Sequence, residues 1–157
     1  MGFRGGPAPA SARDTKKAKE ITTATYQILP SDHGKTLLLN RAAGIVVTLP
    51  ADSLFFGFTV ELLVRETFTG TFQVAPAADG DLMYGGITAI ALAASKSSFF
   101  MPAHFGPLDH DNYVADADTK GRHVGTNLKF TLMGTNEWMV SGIIHTVGTP
   151  ANPFSNG

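Results

Sequence analysis

The chain has 157 residues, of which 43% are hydrophobic and 16% charged, with a formal net charge of −1 and no cysteine. It is too apolar and too weakly charged to be disordered throughout, and long enough for one domain with extensions around a real core. Without cysteine there is no disulfide framework and no Cys-ligated zinc site, so stability has to come from packing or from assembly.

The first segment, residues 1–21, reads as an extended basic arm. Residues 1–20 carry Arg4, Arg13, Lys16, Lys17 and Lys19 against Asp14 and Glu20, while the rest of the chain holds seven Lys and Arg against eleven Asp and Glu. The Gly/Pro/Ala-rich opening has almost nothing to bury and cannot fold alone, so it is either a solvated tail or an arm ordered by a partner. A basic arm over an acidic neighbouring surface is steered by opposite charge, with Phe3, Pro7 and Pro9 as apolar anchors. Five dispersed cations with no base-stacking aromatic pattern do not make a nucleic-acid interface. The opening also lacks the apolar core of a signal peptide, and no run of about eighteen apolar residues follows, so a soluble protein made in the cytoplasm is expected, with no membrane partner.

From residue 22 to 147 the pattern is that of a β-domain. Strands are expected at residues 24–29, 36–40, 45–49, 58–65, 71–75, 128–133 and 138–145, short runs rich in Val, Ile, Thr and aromatics, separated by turn formers. Residues 24–50 read as a hairpin meander. In the run 58–65, Phe58, Val60, Leu62 and Val64 share the face that belongs in the core. Gly134-Thr135-Asn136-Glu137 supplies the turn of a closing hairpin. Residues 76–126 read as a loop-rich insertion, in which Ile87 to Ala94 fits either a buried strand or a turn or two of helix. Within it Phe99, Phe100, Met101 and Phe105 form an apolar cluster broken by two prolines, either folded over the domain's own core or buried by a neighbouring subunit. Residues 148–157 read as a C-terminal tail. The fold class is therefore all-β, a β-sandwich or jelly-roll-like domain with an arm and an insertion.

The polar motifs do not assemble into a catalytic or cofactor signature. Gly34-Lys35-Thr36 ends like a phosphate-binding loop, but the glycine required five residues earlier is Leu29, and a strand follows where a helix should open. Asp116-x-Asp118-x-Lys120-Gly121 starts like a calcium loop, yet Lys120 stands at an oxygen-ligand place and Asn127 at the place of a bidentate Glu. Asp109, Asp111, Asn112, Asp116 and Asp118 remain as an oxygen-rich segment. His33, His104, His110, His123 and His145 show no ligand spacing, and Ser97, Ser98 and Ser141 lack a nucleophile-elbow setting. Glu61 with Glu66, or Asp79 with Asp81, are carboxylates whose separation the sequence leaves open. No enzyme, cofactor or metal is expected.

The series Asp32-x-Gly34-Lys35-Thr36-Leu-Leu-Leu-Asn40-x-Ala42-x-Gly44-x-Val46-Val47-Thr48-Leu49-Pro50, with the later Gly134-Thr135-Asn136-Glu137-Trp138-Met-Val140-Ser141-Gly142, resembles β-rich modules of tailed-bacteriophage virion proteins. These include head decoration or cement proteins and tail-appendage modules. The resemblance covers residues 24–75 and 128–145. It implies a viral structural protein on the capsid surface of the virion, made in the host cytoplasm, which binds and stabilises the lattice of major capsid protein subunits, commonly as a homo-oligomer and by preference a trimer. The residues it would use are Phe3, Arg4, Pro7, Arg13, Lys16, Lys17 and Lys19 of the arm, with Phe99, Phe100, Met101 and Phe105 of the insertion. The alternative within the same resemblance is a tail-fibre, spike or tail-attachment module that binds a glycan.

Overall fold

The computed structural model describes residues 18–51, 55–77, 81–93, 95–103 and 110–156. Among them the chain is all-β and forms two sheets facing each other across one core, a β-sandwich-like arrangement. None of the described helices is long and apolar enough to cross a membrane. The strands are β1 (Lys19–Ile21), β2 (Thr25–Gln27), β3 (Thr36–Leu39), β4 (Ile45–Thr48), β5 (Thr59–Val64), β6 (Phe72–Ala75), β7 (Leu82–Ala91), β8 (Lys96–Phe100), β9 (Asn112–Ala115), β10 (Asn127–Gly134), β11 (Glu137–Thr146) and β12 (Phe154–Ser155). The larger sheet has seven strands in the order β1-β3-β5-β10-β11-β7-β8, and the smaller has five in the order β12-β9-β6-β4-β2.

Each strand expected from the sequence is present, trimmed or extended by a residue or two. The alternation that defines them becomes burial: in β5, Val60, Leu62 and Val64 are buried while Thr59, Glu61 and Leu63 are only half-buried. The closing hairpin is also there, as β10 and β11 pair antiparallel from Asn127 opposite Ile143 to Gly134 opposite Glu137.

The hairpin meander expected over residues 24–50 is not what forms. The first six strands go alternately to the larger and the smaller sheet, and within each sheet they pair parallel: β1 with β3 and β3 with β5, β2 with β4 and β4 with β6. A tight hairpin needs about two residues between strands. Here the connections, such as the one holding the 3-10 turn Pro30–Asp32, carry the chain from one layer to the other, about 10 Å away. Successive corners of this coil stack closely. Thr69 N–H donates to the Ala42 carbonyl at 2.7 Å, and Ile45 N–H donates to the Thr71 carbonyl at 3.0 Å. A Cβ on Gly44, which has φ +100°, would stand 2.4 Å from the Thr71 oxygen, so glycine is required where the corners meet.

Three boundaries differ from the sequence reading. The arm does not extend to residue 21, because Lys19–Ile21 is β1, an edge strand whose Ile21 is buried opposite Leu39. Residues 76–126 hold more strand than the loop-rich reading gave them: β7, β8 and β9 lie there, and β7 is a ten-residue strand parallel to β11 over its whole length. Met83, Ile87, Ala89 and Ala91 point inward along β7, so burial in the sheet overrides the helical preference of its alanines. The C-terminal segment is not a free tail either. Phe154 sits in β12 beside Tyr113 of β9 and extends a line of rings, Phe68 to Phe72 at 5.2 Å, Phe72 to Tyr113 at 5.3 Å and Tyr113 to Phe154 at 6.2 Å.

The last ring of that line gives a test of the C-terminal closure. Phe154→Ala is expected to lower unfolding stability by about 3 kcal/mol, as for a buried aromatic, read from the midpoint shift of urea unfolding at unchanged slope. A shift of only a few tenths of a kcal/mol would mean that the segment is not docked.

Candidate interaction surfaces

A buried ionic network lies at the root of the arm, where the two sheets share an edge. Asp32, closing the 3-10 turn, is fully buried and accepts hydrogen bonds from the Tyr26 hydroxyl at 2.5 Å, the Leu29 N–H at 3.1 Å and the Lys35 ammonium at 3.3 Å. The Lys19 ammonium lies 3.6 Å from the same carboxylate, bonds the Tyr26 hydroxyl and stands 4.6 Å from the centre of its ring. Thus β1 of the larger sheet and β2 of the smaller are fastened to one carboxylate. Lys19, expected to face a partner, is committed inside its own chain. Arg4, Arg13, Lys16 and Lys17, with Phe3 and Pro7, lie outside the described residues.

Burial alone would raise the Asp32 carboxyl, but the Tyr26 hydroxyl, the Leu29 N–H and the two lysines outweigh it and hold it below the usual carboxylate range. A depressed carboxyl stabilises the fold at pH values above its unfolded value, near 4, and that contribution is lost as pH falls through the folded value.

The Phe-rich cluster divides at β8. Phe100 turns inward opposite Ile87 and packs, half-buried, against the core, so part of its ring is spent on the fold. Phe99, one residue earlier, points outward and is 62% exposed, and Met101 just after the strand is also 62% exposed. The Phe99 ring lies over Gly86 of β7, where a Cβ would meet it at 2.4 Å. Because β8 is the last strand of the larger sheet among the described residues, these two side chains flank a strand edge that none of those residues pairs with. Phe105 lies outside the described residues. A further apolar pair went unnoticed in the sequence: Phe55 and Phe56, 57% and 65% exposed, in the connection before β5, with His33 edge-on to Phe55 at 4.8 Å. Their signal was the Phe-Phe-Gly triplet between two strands.

The outward face of the larger sheet carries no covering layer among the described residues. Its outward positions include Met133, Met139, Ile143 and Ile90, all partly exposed, with Glu20, Glu61, Lys129 and Glu137 as its charges. Two hollows lie on it. A small one, about 140 Å³, is lined by Gly34, Lys35, Thr59, Glu61 and Lys129. A wider cleft of about 350 Å³ lies over β10 and β11, lined by Gly125, Asn127, Lys129, Ser141, Ile143 and His145. Glu61 joins the two strands beside it, accepting from the Thr36 hydroxyl at 2.8 Å and the Asn127 amide at 2.7 Å.

The aspartates of the abandoned calcium spacing are bound up with neighbouring cations: Asp116 pairs with Lys120 at 3.0 Å and Asp118 with Arg122 at 2.8 Å, while the His123 ring lies 3.2 Å from Asp118. The Arg122 hydrogen bond draws the Asp118 carboxyl below its usual range. No group of three His, Asp or Glu suited to a metal occurs among the described residues.

The arm-root network predicts acid sensitivity. Stability should fall as pH drops below about 4, and Asp32→Asn should lower stability at pH 7 by about 1–3 kcal/mol and flatten that acid slope, measured by urea unfolding at several pH values. An acid slope identical in wild type and variant would remove Asp32 as its source. No protein-family model matches the chain, and no curated protein matches it.

Proposed function

We propose that this chain is a structural protein of a tailed-phage virion, a capsid decoration or cement protein that holds on to the lattice of major capsid protein subunits from outside. The observation that carries the reading is the pair of large apolar side chains, Phe99 and Met101, both 62% exposed beside the edge of β8. Leaving such groups in water forgoes about 1.5–3 kcal/mol each relative to burial, which suits a surface meant to be covered.

The basic segment that precedes β1 supplies the second contact. Ordering some seventeen residues costs on the order of 1–2 kcal/mol per residue, and exposed ion pairs give back at most about 1 kcal/mol each. The cations Arg4, Arg13, Lys16 and Lys17 therefore steer and orient the arm, while apolar anchors such as Phe3 and Pro7 and main-chain pairing hold it. The arm enters at β1 and the Phe99–Met101 corner lies at β8, the opposite margin of the seven-stranded sheet. One domain thus touches the lattice at two separated places, and a trimer would multiply those weak contacts without any new one. The work of the protein on this reading is adhesion on the virion surface, with no nucleic acid, cofactor or catalysis involved.

Capsids assembled from the major capsid protein of the phage to which this reading assigns the chain provide the test. The wild-type chain is expected to co-sediment with them, and Phe99→Ser with Met101→Ser to weaken binding about a hundredfold or more while leaving the circular dichroism unchanged. Removing residues 1–17 should likewise leave the fold and weaken binding. A wild-type chain that stays in the supernatant, or a double variant that binds as well as wild type, defeats the reading.

A further inference from the structure

The cleft on the outward face of the larger sheet has a donor and acceptor pattern of its own. Asn127 and Ile143 face each other across β10 and β11, and Lys129 faces Ser141 one pair further along. The Asn127 amide nitrogen is already given to Glu61 at 2.7 Å, and a planar amide then directs its carbonyl oxygen to the other side as an acceptor. The His145 Nδ1 stands 2.9 Å from the Val124 carbonyl, which can only accept, so Nδ1 carries the proton and in the neutral ring Nε2 keeps a lone pair. The Ser141 hydroxyl both donates and accepts, and the Lys129 ammonium only donates. Both of these side chains are exposed.

Two glycines shape the space between these groups. A Cβ on Gly125 would stand 2.7 Å from the His145 ring, and one on Gly142 would stand 2.1 Å from the Asn127 carbonyl oxygen. Their bare backbones let the edge of the ring come up against the turn and let β10 and β11 approach each other. Ile143, 45% exposed, adds one apolar wall.

We propose that this cleft binds a neutral saccharide. A hydroxyl is donor and acceptor at once, and a ring bearing several of them satisfies a mixed wall of amide oxygen, imidazole nitrogen, serine hydroxyl and ammonium. An oxyanion such as sulfate or phosphate offers acceptors only, and would meet the Asn127 amide oxygen here with the Glu61 carboxylate alongside. The C–H face of a pyranose has an apolar partner in Ile143. At about 350 Å³ the cleft is at the small end of ligand sites, room for one or two sugar rings, and its openness to water makes the affinity weak, on the order of millimolar. The site lies on β10 and β11, separated from the β8 margin by β7, so it is independent of the capsid reading and can be occupied at the same time.

The test is a titration of the ¹⁵N-labelled full chain with the methyl glycosides of glucose, galactose, mannose, rhamnose and N-acetylglucosamine, each to about 50 mM, with sodium sulfate as the anion control. At least one sugar is expected to shift the amides of residues 125–129 and 141–145 in a saturable way. Ser141→Ala and Lys129→Ala, both at exposed positions, should each weaken that binding about tenfold with an unchanged amide spectrum elsewhere. Shifts with sulfate alone, shifts confined to other parts of the chain, or no saturable shift with any of the five sugars would overturn the proposal.

Discussion

Each strand among the described residues turns one face to a single apolar layer shared by two sheets, and that constraint governs the rest. The buried set runs from Ile21 and Leu37 through Phe58, Phe72 and Tyr113 to Trp138 and Ile144, drawn from both sheets. Since no helix covers either sheet among the described residues, the other face of each strand stays open beside the sheet edges and connections. The same constraint explains the coil of the first six strands. Strands that send alternate residues to one side can share a core by lying in opposite layers, and the corners between them then stack in register, with glycine where backbones touch.

The edge where the coil starts needs separate fastening, because β1 and β2 are only three residues each. Short terminal strands fray when little apolar area holds them. Asp32 meets this need by gathering Tyr26, Lys35 and Lys19 around one buried carboxylate. A buried charge of this sort is worth having only when its lone pairs are filled, as they are here by a hydroxyl, an N–H and two ammonium groups. The consequence for function is positional. Lys19 and β1 are held at a fixed point on the body, and that is where the proposed arm would begin.

The two proposed recognition surfaces use the sheet in different ways. At β8 the strand alternation turns Phe100 toward the core and Phe99 to solvent, so one apolar pair is divided between the fold and the proposed adhesive surface. At β10 and β11 the outward positions are mostly polar, and committed hydrogen bonds to Glu61 and Val124 fix which atoms of Asn127 and His145 remain to be used. Adhesion at a margin and recognition on a broad face are compatible in one domain because β7 stands between them.

The all-β class and the seven strands in residues 24–75 and 128–145 were legible because β-branched and aromatic runs alternate there between turn formers such as Pro30, Gly44 and Asn136. Which face of β5 enters the core was legible for the same reason. What no local pattern carries is the choice of neighbour: a strand with period-two burial looks the same in either sheet, so parallel pairing across a coil was mistaken for hairpins. Residues 82–91 hid their strand because alanine favours helix, and only pairing along the whole of β11 decides against it. Phe154 and Ile21 looked like tail and arm, since two or three residues make no periodicity, yet long-range burial claims both. The cleft belongs wholly to tertiary structure. Asn127, Lys129, Ser141 and His145 are ordinary residues in sequence, and register across β10 and β11 makes them neighbours, because contact in a sheet follows from pairing and not from spacing along the chain.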